Sequence, residues 1–369
     1  MSSNELLHLI ALLQIKGVGH ITARNLIQTL GSSEAVFREK AVTLSRIQGI
    51  STTLAQEIKK AESLKRAETE LHFIEKNQIN ALVFSEPDYP QRLIDCIDAP
   101  LLLYYKGNAN LNCKKTISLV GTRNATEYGK AATEKLIEDI SALYPDVLII
   151  SGMAYGIDII SHKAALNRNM KTVGVMAHGL DRIYPAAHRK TAVEMVTQGG
   201  LLTEYTSGTN PDRQNFVMRN RIVAGMSDAL IVVESAQKGG ALITADIANS
   251  YNKDVFAIPG RITDIASEGC NNLIQSNKAN LIRNADDLLS NMGWSTTHGS
   301  KKVVQKEIFA VLTDEERLIS SHLDYHESKQ INILSIDCNI PVYKLSSTLL
   351  EMEFKGLIKC LPGGAYLLL

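Results

Sequence analysis

Between residues 85 and 290, short unbroken apolar runs alternate with amphipathic helical stretches, and this pattern limits the possible folds of the 369-residue chain more than any other feature. The runs are Ile117 to Val120, Val147 to Ile150, Val173 to Met176, Leu201 to Thr203, Ala229 to Val233 and Val255 to Ile258. A strand with one face in water alternates apolar and polar residues, whereas a strand covered on both faces is apolar throughout. Helices between such strands supply the two covers and the crossovers that parallel pairing requires. The segment therefore predicts a doubly wound, mostly parallel α/β sheet.

The flanks have other periods. Residues 1 to 84 read as a small helical domain with two similar glycine turns, Ile15-Lys16-Gly17-Val18-Gly19 and Ile47-Gln48-Gly49-Ile50-Ser51. Each precedes a helix, Ala23 to Leu30 and Ala55 to Ala61, as in a tandem helix-hairpin-helix unit whose turns can offer backbone N–H groups to a DNA phosphate. The second copy has Ser51 where another glycine would sit. Residues 291 to 306 hold Gly, Ser, Thr and three lysines without apolar period and read as a linker. Residues 307 to 369 predict helices at Asp314 to Leu323, Ile331 to Asp337 and Pro341 to Lys355. Two strands joined by Pro362-Gly363-Gly364 follow, making a winged helix.

Charge narrows the function classes. The chain carries 39 basic and 39 acidic residues, so any nucleic-acid site must be a local patch. The final domain is acidic, with five basic against nine acidic residues from 307 to 369. A duplex reader needs a basic recognition face, so that domain is expected to contact protein or to regulate. The five cysteines are scattered with no CxxC pair, which points to reduced thiols in the cytoplasm without zinc. The apolar opening from Leu6 to Ile15 is interrupted by His8 and Gln14, and is expected to be neither leader nor membrane span.

Ligands of open α/β sheets bind beyond the carboxyl ends of the strands, so those ends name the candidates. They are Gly121, Thr122 and Arg123 after the first run, Ser151, Gly152, Tyr155 and Gly156 after the second, and Gly239 with Gly240 after the fifth. The stretch after the fourth adds Arg213, Phe216, Arg219, Asn220 and Arg221. Glycines let a phosphate approach backbone N–H groups, guanidinium forks clamp it, and Phe216 and Tyr155 offer stacking faces for bases. Arg219 and Arg221 stand two apart and cannot share a helix face, so one of them is expected in the site. No GxGxxG follows the first strand, which argues against a dinucleotide cofactor; no cofactor or metal is expected.

An enzymatic reading exists. His162 stands four residues after Asp158, the spacing of a base held by a carboxylate, but no nucleophile motif accompanies it and a structural role is favoured. Gly239-Gly240-Ala241-Leu242-Ile243-Thr244-Ala245-Asp246 partly matches the Gly-Gly-x-Gly-Thr-x-x-Glu loop of phosphoribohydrolases that act on nucleoside monophosphates. The third glycine and the aligned threonine are missing.

The ordered motifs Val-Gly-Thr-Arg at 120 to 123, Ser-Gly-Met-Ala-Tyr-Gly-Ile-Asp at 151 to 158, His162, Gly179-Leu180-Asp181 with Tyr184-Pro185, Thr203-Glu204-Tyr205, Arg219-Asn220-Arg221-Ile222-Val223-Ala224-Gly225, Leu242-Ile243-Thr244-Ala245 and Pro259-Gly260 resemble the DNA-processing protein A family, DprA or Smf. That resemblance spans about residues 115 to 285. It implies a Rossmann-like centre between a sterile-alpha-motif-like helical domain and a winged helix. It also implies non-enzymatic binding of incoming single-stranded DNA in natural transformation, loading of the RecA recombinase, and dimerisation through the centre. Arg123 matches the family's pocket arginine, and Arg213 stands where a lysine is usual. Gly239-Gly240-Ala241-Leu242 departs from the family's Ser-Gly-Ser-Leu by two hydroxyls.

Overall fold

The computed structural model describes residues 2–60, 62–294, 312–324, 328–361 and 364–368. By internal contacts the chain divides into two compact units, Met1–Trp294 and Ser295–Leu369. Most of the expected linker, from residue 295 on, lies outside the described residues, as do Pro362 and Gly363 of the expected terminal turn.

The first unit opens with helices α1 (Ser3–Leu13), α2 (His20–Leu30), α3 (Ser33–Arg38), α4 (Ala41–Leu44), α5 (Thr52–Ile58) and α6 (Glu62–Lys76). Gly17 and Gly49 both take positive φ, +93° and +86°, as the two turns require. Ser51 has a use of its own: its side chain accepts the Leu54 amide at 3.1 Å and caps α5. Both hairpin helices begin three residues earlier than expected.

One sheet organises the rest of the unit. Its strands are β1 (Asn80–Val83), β2 (Leu102–Gly107), β3 (Thr116–Val120), β4 (Leu148–Ser151), β5 (Thr172–Val175), β6 (Gly199–Thr203), β7 (Ala229–Val232), β8 (Asp254–Ala257) and β9 (Asn280–Leu281). Their spatial order is β1-β2-β6-β5-β4-β3-β7-β8-β9. From β6 to β9 all pairing is parallel, and β2 joins β6 and β1 antiparallel. The helices are α7 (Gln91–Ile94), α8 (Glu127–Leu143), α9 (Ile157–Asn167), α10 (Arg189–Thr197), α11 (Arg213–Gly225), α12 (Gly240–Ser250), α13 (Glu268–Gln275) and α14 (Ala285–Asn291).

The apolar runs are covered on both faces as their composition requires. On β3, Ile117 and Leu119 enter the core beneath α8, while Val120 joins the core that α11 and α12 supply. Ile117 and Leu119 are fully buried, each contributing about 2 kcal/mol of transfer free energy. The helical segment's core is continuous with β1 and β2 through Leu102 and Tyr104. Strands β1, β2 and β9 stand outside the six apolar runs of the sequence.

The second unit holds α15 (Asp314–Ser321), β10 (Lys329–Gln330), α16 (Ile331–Asp337), α17 (Val342–Phe354), β11 (Ile358–Leu361) and β12 (Ala365–Leu368). The strands form a sheet in the order β10-β12-β11, a winged helix whose core includes Ile319, Leu334, Leu345, Leu349 and Met352. Among the described residues no helix is long and apolar enough to cross a membrane.

Candidate nucleic-acid interface

The strand order reverses between β3 and β7, and there the chain leaves a cavity of about 900 Å³ at the carboxyl ends of the strands. Of the fourteen candidates, Gly121, Thr122, Arg123, Gly152, Arg213, Phe216, Arg219, Asn220, Gly239 and Gly240 line it. Lys238, Tyr184, Ser235 and Asp246 also line it, and the sequence reading passed over them as ligand groups. Lys238 had a signal, being a lysine immediately before the paired glycines on the same rim.

Arg123 is exposed at the mouth with its guanidinium 5.4 Å from the centroid of the Phe216 ring. Tyr184 packs edge-on against the same ring, centroids 5.9 Å apart. The loop carrying Arg123 is tied down from β7. Thr122 N donates to the Glu234 carbonyl at 2.7 Å, and the Glu234 carboxylate accepts Thr126 N at 2.9 Å and the Thr126 hydroxyl at 2.5 Å. Thr126 in turn caps α8. Buried Glu234 is thus a support of the site that no motif announced.

Gly152 makes room for the floor of the cavity. A Cβ there would collide with the Asp158 carboxylate and the Arg219 guanidinium, which meet over it. Burial pushes the Asp158 carboxyl up, and the Arg219 guanidinium opposes the shift. Arg219 also donates to the Val175 carbonyl, and its Nε has no partner among the described residues. That donor is inaccessible, so leaving it unpaired carries a desolvation cost.

Helix ends add further donors. Helices α11 and α12 start at the cavity without a side-chain cap, at Arg213 and at Gly240, so their first N–H groups and positive dipole ends are free for a phosphate. Gly239 lies close to Ser235, whose Oγ would be 2.6 Å from an added Cβ, while Gly240 faces open space.

Four candidates lie off the cavity wall. Ser151 is buried and gives its hydroxyl to the Leu119 carbonyl at 2.6 Å. Tyr155 is half exposed but packs on His188, centroids 4.8 Å apart. Gly156 has a φ of +73° and a Cβ there would come within 2.7 Å of the Arg123 carbonyl, so its role is to turn the chain into α9. Arg221 is buried and ion-paired with Glu204, which also binds His20 Nε2 at 2.8 Å. Leu101 N donates to His20 Nδ1 at 3.1 Å, so Nε2 carries the proton in this bridge.

His162 and Asp158 do not form a pair. Nε2 of His162 lies 2.6 Å from the Gly152 carbonyl and Nδ1 lies 2.7 Å from the Thr172 hydroxyl. Burial pushes the His162 pKa down to about 4, so the imidazole is neutral near pH 7 and both nitrogens are engaged. Asp246, the acidic end of the phosphoribohydrolase-like loop, pairs with Lys278 at 2.8 Å. Among the described residues no cluster of His, Cys, Asp and Glu is arranged to hold a metal ion.

The model of the family of DNA recombination-mediator protein A matches residues 80–293, and that of the DprA winged helix domain matches residues 310–364. Protein Smf of Synechocystis is 33% identical over 300 residues, covering 79% of this chain and 74% of that protein. DNA processing protein DprA of Streptococcus pneumoniae is 40% identical over 202 residues, 55% of this chain and 70% of the relative. The solved structure of the Streptococcus pneumoniae DprA superposes with a TM-score of 0.64 at 31% identity, covering 77% of this chain and 97% of its own. A structure concerned with the single-stranded DNA binding mode of DNA processing protein A from Helicobacter pylori gives 0.53 at 30% identity, covering 58% and 95%.

Proposed function

Because the chain belongs to the DNA recombination-mediator protein A family, we propose that it grips single-stranded DNA, without bond-making chemistry, in the cavity between the ends of β3 and β7. The observation that carries this reading is convergence. Arg123, Arg213, Arg219 and Lys238 meet the uncapped starts of α11 and α12 around one opening, with the Phe216 ring beside them. Cationic forks and backbone N–H groups suit a flexible polyanion of any sequence, and an aromatic face accepts any base. The relative from Helicobacter pylori is described with a single-stranded DNA binding mode, which agrees with this assignment.

The wider role proposed is the one the family resemblance implies: protecting incoming single strands during natural transformation in the cytoplasm and helping to load the RecA recombinase. Homodimerisation through the central domain is proposed with it. The sheet ends at β9 with both residues exposed, leaving an edge to which a second copy can add.

The test is titration of fluorescent oligothymidine with wild type and an Arg123→Ala, Arg213→Ala double variant across a range of salt. Two lost phosphate contacts weaken binding by at least about tenfold. They also flatten the slope of log affinity against log salt by about 1.4, near 0.7 for each phosphate. Unchanged affinity and slope in a folded double variant would refute the site. A phosphoribohydrolase would instead release free base from nucleoside monophosphates, which the proposal expects not to happen.

A further inference from the structure

The winged-helix unit carries an apolar stripe that the DNA cavity does not use. Helix α17 buries Leu345, Leu349 and Met352 in its own core. At 100° per residue, Tyr343, Leu350 and Phe354 fall together on the opposite side, at i, i+7 and i+11. They are 81%, 53% and 84% exposed. Single exposed apolar side chains are ordinary, but three on one stripe of a 13-residue helix make a continuous apolar face.

Charge identifies what suits that surface. Three of the five cations between residues 307 and 369 are held in internal pairs: Lys344 with Glu315, Lys355 with Glu316 at 2.6 Å and Lys329 with Asp337 at 2.8 Å. Nine acidic residues stand against those five between 307 and 369. On the helical wheel Glu351 and Glu353 lie on the two flanks of the stripe. This arrangement repels a nucleic-acid backbone, and it repels a second copy of the same face. It attracts an apolar surface edged with positive charge.

We propose that the Tyr343-Leu350-Phe354 face of α17 docks a partner protein through an amphipathic helix whose apolar side is rimmed with lysine and arginine. The aromatic residues at the two ends of the stripe act as anchors, and the two glutamates set the orientation and reject acidic competitors.

The experiment uses the full chain and two labelled helical peptides, one with leucines rimmed by lysine and one with the same leucines rimmed by glutamate, read by fluorescence anisotropy. The lysine peptide binds wild type, and the triple variant Tyr343→Ser, Leu350→Ser, Phe354→Ser weakens it by at least about tenfold. Circular dichroism and affinity for oligothymidine stay unchanged in that variant. The variant Glu351→Lys, Glu353→Lys reverses the preference toward the glutamate peptide. Equal binding of the two peptides by wild type, or equal binding of the lysine peptide by wild type and triple variant, overturns the proposal. So does stripe-dependent self-association in sedimentation, stripe-dependent duplex binding, or a changed affinity for oligothymidine in the triple variant.

Discussion

Single residues in this protein divide by what their polar atoms already hold. Arg219 and Arg221 share a helix and are both nearly inaccessible, yet Arg219 lines the cavity and Arg221 is closed by Glu204. Their spacing excluded a common face but could not say which faced the ligand, because α11 is packed on several sides and burial looks alike in sequence. His162 shows the same limit: a spacing of four from Asp158 allowed a pair, and the partners are instead Gly152 and Thr172, ten residues to either side at the end of β4 and the start of β5. Its burial has a measurable consequence. Its folded pKa of about 4 lies below the ordinary 6.5. Between those values the unfolded chain takes up a proton that the native ring refuses. Stability therefore falls as pH is lowered from about 6.5 to about 4, by on the order of 3 kcal/mol, and this contribution stops changing below about pH 4. Urea unfolding of wild type and His162→Asn across that range checks it: the variant is less stable at pH 7 and has the flatter profile. Parallel profiles would show that His162 is not the group responsible.

At the level of elements, the apolar runs were legible as strands because a strand buried on both faces has nothing else to be. The strands that escaped notice are those with the least apolar repetition. β9 is two residues long, and β1 is four residues that begin exposed at the sheet margin. β2 is apolar enough to have been found, but its antiparallel pairing with β6 interrupts the strand-helix alternation that guided the reading. The strand-end rim was equally legible, since glycine marks each turn, yet sequence could not distinguish a glycine needed for space from one that is not. Gly152→Ala and Gly240→Ala separate the two cases. The first forces a methyl between Asp158 and Arg219, so single-strand affinity and stability both drop, the latter by roughly 1 to 3 kcal/mol as expected for overpacking. The second meets no atom within 4 Å at the first residue of α12. It leaves stability within about 1 kcal/mol of wild type, with any change toward greater stability. Thermal melts and oligothymidine titration of both variants decide the matter, and equal damage from the two would mean that the floor of the cavity has been misassigned.

Across the whole molecule the charges cancel, and neutrality hides a local arrangement in which cations gather at one end of a sheet while acids predominate in the winged helix. The separation is physical as well as electrostatic. The winged helix buries its own core around Leu334, Leu345 and Leu349, and the sheet unit completes its cores within residues 1 to 294. If polyanion binding depends on the β3–β7 cavity, a chain ending at Trp294 keeps its fold, its affinity for oligothymidine and the salt dependence of that affinity. Residues 295 to 369 carry eight basic and nine acidic side chains, a difference of one charge, so their removal leaves the affinity at low and at high salt close to that of the full chain. Anisotropy titrations of full-length and truncated protein at low and high salt test this. A truncated protein with a native melt and no single-strand affinity would move the site out of the sheet and into the winged helix, against the charge that domain carries.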